Sequence, residues 1–285
     1  MISNKWIVVE KLTVSKQAGG DGEDRLALAY DGEALTLVAV VDGATDKSGR
    51  DYGGKTGGAR AAECVAGTLQ TLPAGSAPAA ALDAVTDQLA ALRRNWSIST
   101  DDLLAPSAVA AVLLPERGQI WRVGDVHVAI RRDGHWETHP AEKEIDRAVA
   151  GARAALLHCR LAQGDSMEAL AATDPGREMV MPILKAQNVL ANTDGDNPLG
   201  FGVLDGRRVP PRYLEVFDLD ESVTEVVLAS DGYVWAAPTL REAEANLAAS
   251  LASDPLRIGE HASTKAVSPG ASSYDDRTYI RVRVG

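Results

Sequence analysis

Apolar and polar positions along this chain fall into short runs broken by turn formers. Trp6 to Leu12 and Arg25 to Tyr30 read as strands, and Asp31-Gly32 is a hairpin turn leading into Leu35 to Val41. A glycine-rich loop spans Gly43 to Gly58. Apolar residues then recur at Ala62, Val65, Ala66 and Leu69, which predicts a helix over Ala59 to Leu72. Pro73 to Pro78 breaks it, and Ala79 to Arg94 is a second amphipathic helix. Ser107 to Leu114, Gln119 to Val123 and Val126 to Arg132 return to strands, with Asp133-Gly134 as a closing turn. Connections this tight cannot carry parallel crossovers, so the pairing is antiparallel.

Ala141 to about Asn192 is helical and polar, and is expected to be a helical pair covering one sheet. Gly195 to Pro211 is turn-rich, and strands recur at Leu214 to Leu219 and Val223 to Ala229. Leu240 to Leu251 is a helix capped by Thr239, and Arg277 to Val284 is a final strand. This order indicates an α+β layered fold, not a doubly wound sheet.

The 285 residues suffice for one large domain, taken here as 1–285. A net charge of -11 with no long basic block argues against nucleic acid as a partner. No apolar run is long enough to span a membrane, and the N-terminus is no signal peptide, so a cytoplasmic address is expected. Cys64 and Cys159 read as buried free thiols.

Candidate chemistry lies in acidic clusters bordering the strands: Glu23-Asp24, Asp42-Gly43, Gly124-Asp125, Ser230-Asp231-Gly232 and Asp275-Asp276. Each alone is an ordinary turn. Carboxylates at strand ends distant in sequence are also what a fold needs to gather oxygen ligands around hard divalent cations.

Their succession resembles the metal-dependent type 2C protein phosphatase family from about Lys16 to the C-terminus. Leu228-Ala229-Ser230-Asp231-Gly232 and a Trp121-Arg122-Val123-Gly124-Asp125 hairpin are the most specific parts. The resemblance implies a four-layer α-β-β-α sandwich with two central antiparallel sheets flanked by helices. It also implies hydrolysis of phosphoserine or phosphothreonine in proteins by a metal-activated water, with two Mg²⁺ or Mn²⁺ ions and a weaker third. Asp42 would bridge two ions, the Gly43 carbonyl would bind one, and Asp231 and Asp275 would complete the other. Glu23 and Asp24 would hold coordinated waters, and Asp125 with Asp231 the third ion; Asp42 and Asp231 would carry catalysis. An insertion within 141–211 would form a flap beside the site.

Three positions depart from that family pattern. Gly19 stands where an arginine usually holds the phosphate, leaving Lys16, Lys47, Arg50 or Lys55 to supply the charge. Ala44 replaces a proposed general-acid histidine, and Asp276 replaces an asparagine and is a competing ligand candidate. Other readings stay open: a phosphatase for a small phosphorylated molecule, or a catalytically silent module that keeps the fold and a metal. Gly49 to Thr56 also fits the P-loop pattern of an NTPase, although seven residues separate it from the strand ending at Val41. His127 reads as a half-exposed strand residue.

Overall fold

The apolar runs pair into two five-stranded antiparallel sheets in the computed structural model, which describes residues 5–140 and 142–285. One sheet has the order β1 (Trp6–Val14), β10 (Arg277–Val284), β9 (Val223–Ala229), β6 (His127–Arg132), β7 (His135–His139). The other runs β2 (Arg25–Asp31), β3 (Ala34–Gly43), β4 (Ala108–Leu114), β5 (Gln119–Val123), β8 (Glu215–Asp218).

Alternation along the strands sorts side chains into layers. Val38 and Val40 of β3, with Ala111 and Leu113 of β4, meet Val128, Ile130, Val226, Leu228 and Ile280 between the sheets. The intervening Ala39, Val41, Ala110 and Val112 face outward onto α1 (Gly57–Gln70) and α2 (Pro78–Asn95). β3 and β4 are therefore buried on both faces, which is why they read as unbroken apolar runs. On the far side of the first sheet, Ala129, Val227, Ala229 and Tyr279 pack against α6 (Leu240–Ser253) and Tyr233. The expected four-layer sandwich is present. Thr239 caps α6, accepting from the Glu242 amide.

Four local expectations change. Gly124-Asp125 is not a hairpin apex: β5 pairs with β4 and β8, whereas β6 pairs with β7 and β9, so this turn carries the chain between sheets. Gly124 has φ +89°, and a Cβ there would lie 2.1 Å from Val109 Cγ1, so the crossover demands glycine. Asp133-Gly134 leads into β7, a strand too short and polar to announce itself. The helical segment is three helices, α3 (Glu144–Ala162), α4 (Met167–Thr173) and α5 (Pro175–Ala186). Of these, α3 and α5 pack on each other and on Phe201 and Val203, not as a pair laid over a sheet. Finally, Cys159 is exposed and Cys64 only partly buried, though both are free thiols. Among the described residues no helix is long and apolar enough to cross a membrane.

Arg153 ties the helical segment to the loop after α6. Its side chain is fully buried, pairs with Asp174 at 2.9 Å, and donates to the carbonyls of Leu256, Arg257 and Ser263 at 3.0 Å each. A buried guanidinium needs such complete satisfaction.

Candidate active site

One cavity of about 450 Å³ opens at the ends of the central strands, and Asp42, Gly43, Asp125, Asp231 and Asp275 all line it. Asp42 ends β3, Asp125 follows β5, Asp231 follows β9 and Asp275 precedes β10. The close approach of Gly232 to the Asp276 carbonyl, where a Cβ would sit at 1.9 Å, keeps the last two together. Tyr274 OH donates to the Asp231 carbonyl and braces the same turn.

Glu23 and Asp24 lie just behind, both buried. Asp24 accepts from Ser230 Oγ at 2.7 Å, and that hydroxyl also accepts the Thr278 amide at 2.9 Å. Glu23 accepts from Thr56 Oγ1 at 2.6 Å. Asp276 is not a competing ligand: its carboxylate accepts the amides of Lys16 and Glu23 at 2.8 and 2.7 Å, which fixes the turn before β2 onto β10.

Electrostatics divide the carboxylates into two groups. Burial raises Asp42 well above the usual carboxylate range, and Asp24, Asp231, Asp275 and Asp125 push it further. Asp231 is pushed up to about 7 by burial and by Asp275 and Asp125, against Lys265 and a hydrogen bond with Asp42. Asp24 rises to about 8 through burial, against the Ser230 bond, with Asp275 and Asp231 adding to the rise. Burial would raise Asp275 as well, but Lys265 and Lys16 outweigh it and hold it at about 2. Lys265 Nζ lies 2.5 Å and Lys16 Nζ 2.9 Å from its two oxygens. Lys143 similarly pairs with Asp125 at 2.9 Å.

Among the described residues, no three His, Cys, Asp or Glu side chains converge in one coordination shell. The donor chemistry nevertheless fits a hard divalent cation at Asp42 and Asp231. Neither has an ion-pair partner among the described residues, and their raised proton affinity is the electrostatic cost a cation removes. Asp275 and Asp125 already have ammonium partners.

Of the four cations considered for phosphate, only Lys47 lines the cavity. Burial and the neighbouring Arg177 lower its pKa to about 8, despite Asp146. Lys16 is committed to Asp275, Arg50 pairs with Asp102, and Lys55 pairs with Asp21 and Glu63. The P-loop-like stretch lacks the parallel strand such a loop requires, since β3 is antiparallel to both neighbours. The amides of Ser48 and Gly57 are taken by the Asp46 carboxylate at 2.6 and 3.0 Å. His127 is buried, with its pKa lowered by burial against Asp125, and lines the cavity. Lys143, Arg177 and Lys265 were missed from sequence because each sits in an irregular or helical context with no motif around it.

No protein-family model matches the chain, and no curated protein matches it. Among solved structures it is similar to a bacterial serine phosphatase at 15% identity over 97% of each chain, with a TM-score of 0.50. It is also similar to the serine/threonine phosphatase Stp1 from Staphylococcus aureus at 15% identity, over 97% of this chain and 94% of that one, with a TM-score of 0.52. The chain therefore has the fold of bacterial serine/threonine phosphatases.

Proposed function

We propose that this chain is a metal-dependent phosphatase acting on phosphate monoesters, with phosphoserine or phosphothreonine in proteins as its substrate and Mg²⁺ or Mn²⁺ as its cofactor. The observation that carries this reading is the convergence of Asp42, Asp125, Asp231 and Asp275, from four strand ends, on one cavity. The shared fold supports it, as does the serine/threonine phosphatase activity in the names of the similar structures.

In this reading Asp42 and Asp231 hold the cation, aided by the Gly43 carbonyl, with Glu23 and Asp24 behind them. A bound divalent ion supplies a deprotonated water at neutral pH and neutralises phosphoryl oxygens. A cation held there would take the place of the protons that burial favours on Asp42 and Asp231. Ser230 keeps Asp24 oriented through its 2.7 Å bond. Tyr274, through the Asp231 carbonyl, holds that turn in place. No side-chain nucleophile is required.

A second reading has its own observation. Lysines on Asp275 and Asp125 favour a module that binds a cation without turnover. Assays on p-nitrophenyl phosphate and a phosphothreonine peptide, with Mn²⁺ and with chelator, separate the two. Chelator-sensitive hydrolysis lost in Asp42→Asn supports the enzyme, and metal binding with no turnover supports the silent module.

A further inference from the structure

The cavity lining carries cations from three separate segments: Lys47 on the loop after β3, Arg177 in the first turn of α5, and Lys265 on the loop after α6. Lys265 is neutralised by Asp275. The other two differ. Lys47 Nζ donates to the Thr45 carbonyl at 3.2 Å, and Arg177 Nη1 to the Thr264 carbonyl and hydroxyl at 2.8 and 3.0 Å. Neither makes an ion pair among the described residues, although both are partly buried.

An ammonium has three N–H donors and a guanidinium five, so most of this capacity is unspent. Withdrawing two like charges from water beside each other is unfavourable without a counter-charge. The carboxylate that acts on Lys47, Asp146, stands beyond ion-pair distance and is itself engaged by Gln187 at 3.1 Å and Lys143 at 3.9 Å. Asp174, Asp275 and Asp146 also act on Arg177, but each has another cation as its partner, so neither Lys47 nor Arg177 has a contacting counter-ion among the described residues. A tetrahedral oxyanion offers acceptors in several directions at once, which suits one compact ammonium and one planar fork better than a single carboxylate does.

We infer that Lys47 and Arg177 form an anion subsite that receives the phosphoryl group of the substrate, and the inorganic phosphate left after hydrolysis. The inference rests on the phosphatase reading for its place in a reaction, but the binding itself needs no metal. Two segments remote in sequence would then have to be in place together: the glycine-rich loop and the helical segment that Arg153 anchors. Occupation of the subsite would draw α5 onto the loop after β3.

Isothermal titration of inorganic phosphate into the full chain with chelator present tests this, with acetate at equal ionic strength as comparator. Wild type should bind phosphate more tightly than acetate. Lys47→Met and Arg177→Met should each weaken phosphate by about tenfold or more, the usual worth of a charge-assisted hydrogen bond. Lys185→Met, on an exposed position of the same helix, should bind as wild type does. Melting temperature provides an independent readout: phosphate should raise it in wild type and not in Lys47→Met. Absence of phosphate binding, equal affinity for acetate, or an unchanged Lys47→Met would overturn the subsite. Lys47-dependent phosphate binding without hydrolysis under Mn²⁺ would overturn the phosphatase reading alone. Hydrolysis with unchanged phosphate binding in Lys47→Met would overturn the subsite alone.

Discussion

Lys265 Nζ lies 2.5 Å from Asp275 Oδ2, so a carboxylate that the resemblance assigns to a metal is held by an ammonium of the same chain. Lys16 takes its other oxygen at 2.9 Å. Any cation drawing on Asp275 must compete with both. Lys265→Met should therefore tighten Mn²⁺ binding by roughly tenfold, the equivalent of one pKa unit of interaction. Titration calorimetry with Mn²⁺ checks this, and unchanged or weaker binding would show that Lys265 and the ion do not compete.

The two groups of carboxylates give the metal-free protein a characteristic pH response. Asp24 and Asp231, raised to about 8 and 7, stay protonated in the folded state while the unfolded chain has released those protons. Folded protein binds more protons across the window from about 4 to 8, so stability falls as pH rises, by up to about 1.4 kcal/mol per pH unit for each group. Asp275 has the opposite sign. Its contribution is complete above the unfolded value and is lost only as pH falls toward 2. Thermal melts from pH 5 to 8 with chelator should show a declining midpoint, and Mn²⁺ should flatten the decline. A midpoint that rises over this range without metal would contradict the raised proton affinity of Asp24 and Asp231.

Arg153 links the helical segment to the loop carrying Lys265 through an ion pair and three carbonyl contacts. Arg153→Ala leaves Asp174 unpaired and three carbonyls without their donor, and should cost about 3–5 kcal/mol in urea unfolding. Arg153→Met should cost less if packing can be kept while Asp174 reaches solvent. Equal losses would place the effect in the lost ion pair and hydrogen bonds and not in side-chain volume.

Gly124→Ala should destabilise by at least about 1–3 kcal/mol, because φ is +89° and the new methyl would enter Val109. A double variant with Val109→Ala should recover the steric part and not the backbone part. Full recovery would mean that the positive φ is not under strain.

The strands were legible because both-face burial writes β3 and β4 as continuous apolar runs, whereas the four-layer arrangement was expected from the family resemblance. The acidic floor was legible in part for a related reason. Asp42 and Asp231 each close such a run, but that they gather at one site was expected only from the resemblance. The crossover at Gly124 was not, since an inter-sheet turn and a hairpin use the same Gly-Asp chemistry. The cationic wall was equally hidden. Lys143, Arg177 and Lys265 are brought to the cavity by tertiary packing of the helical segment and by the Arg153 anchor, and none of the three has a local pattern. Asp276 looked like a ligand from its neighbour alone, whereas two backbone amides had already claimed it.

Asp42 and Asp231 are proposed as the cation-dependent catalytic floor of a phosphomonoesterase. The direct measurement is steady-state hydrolysis of a phosphothreonine peptide by wild type, Asp42→Asn and Asp231→Asn, across a Mn²⁺ titration and with chelator. Wild type should show Mn²⁺-dependent turnover, abolished by chelator and by either substitution, with Mn²⁺ affinity reduced in both variants. Turnover that persists in Asp42→Asn or in chelator would contradict that assignment.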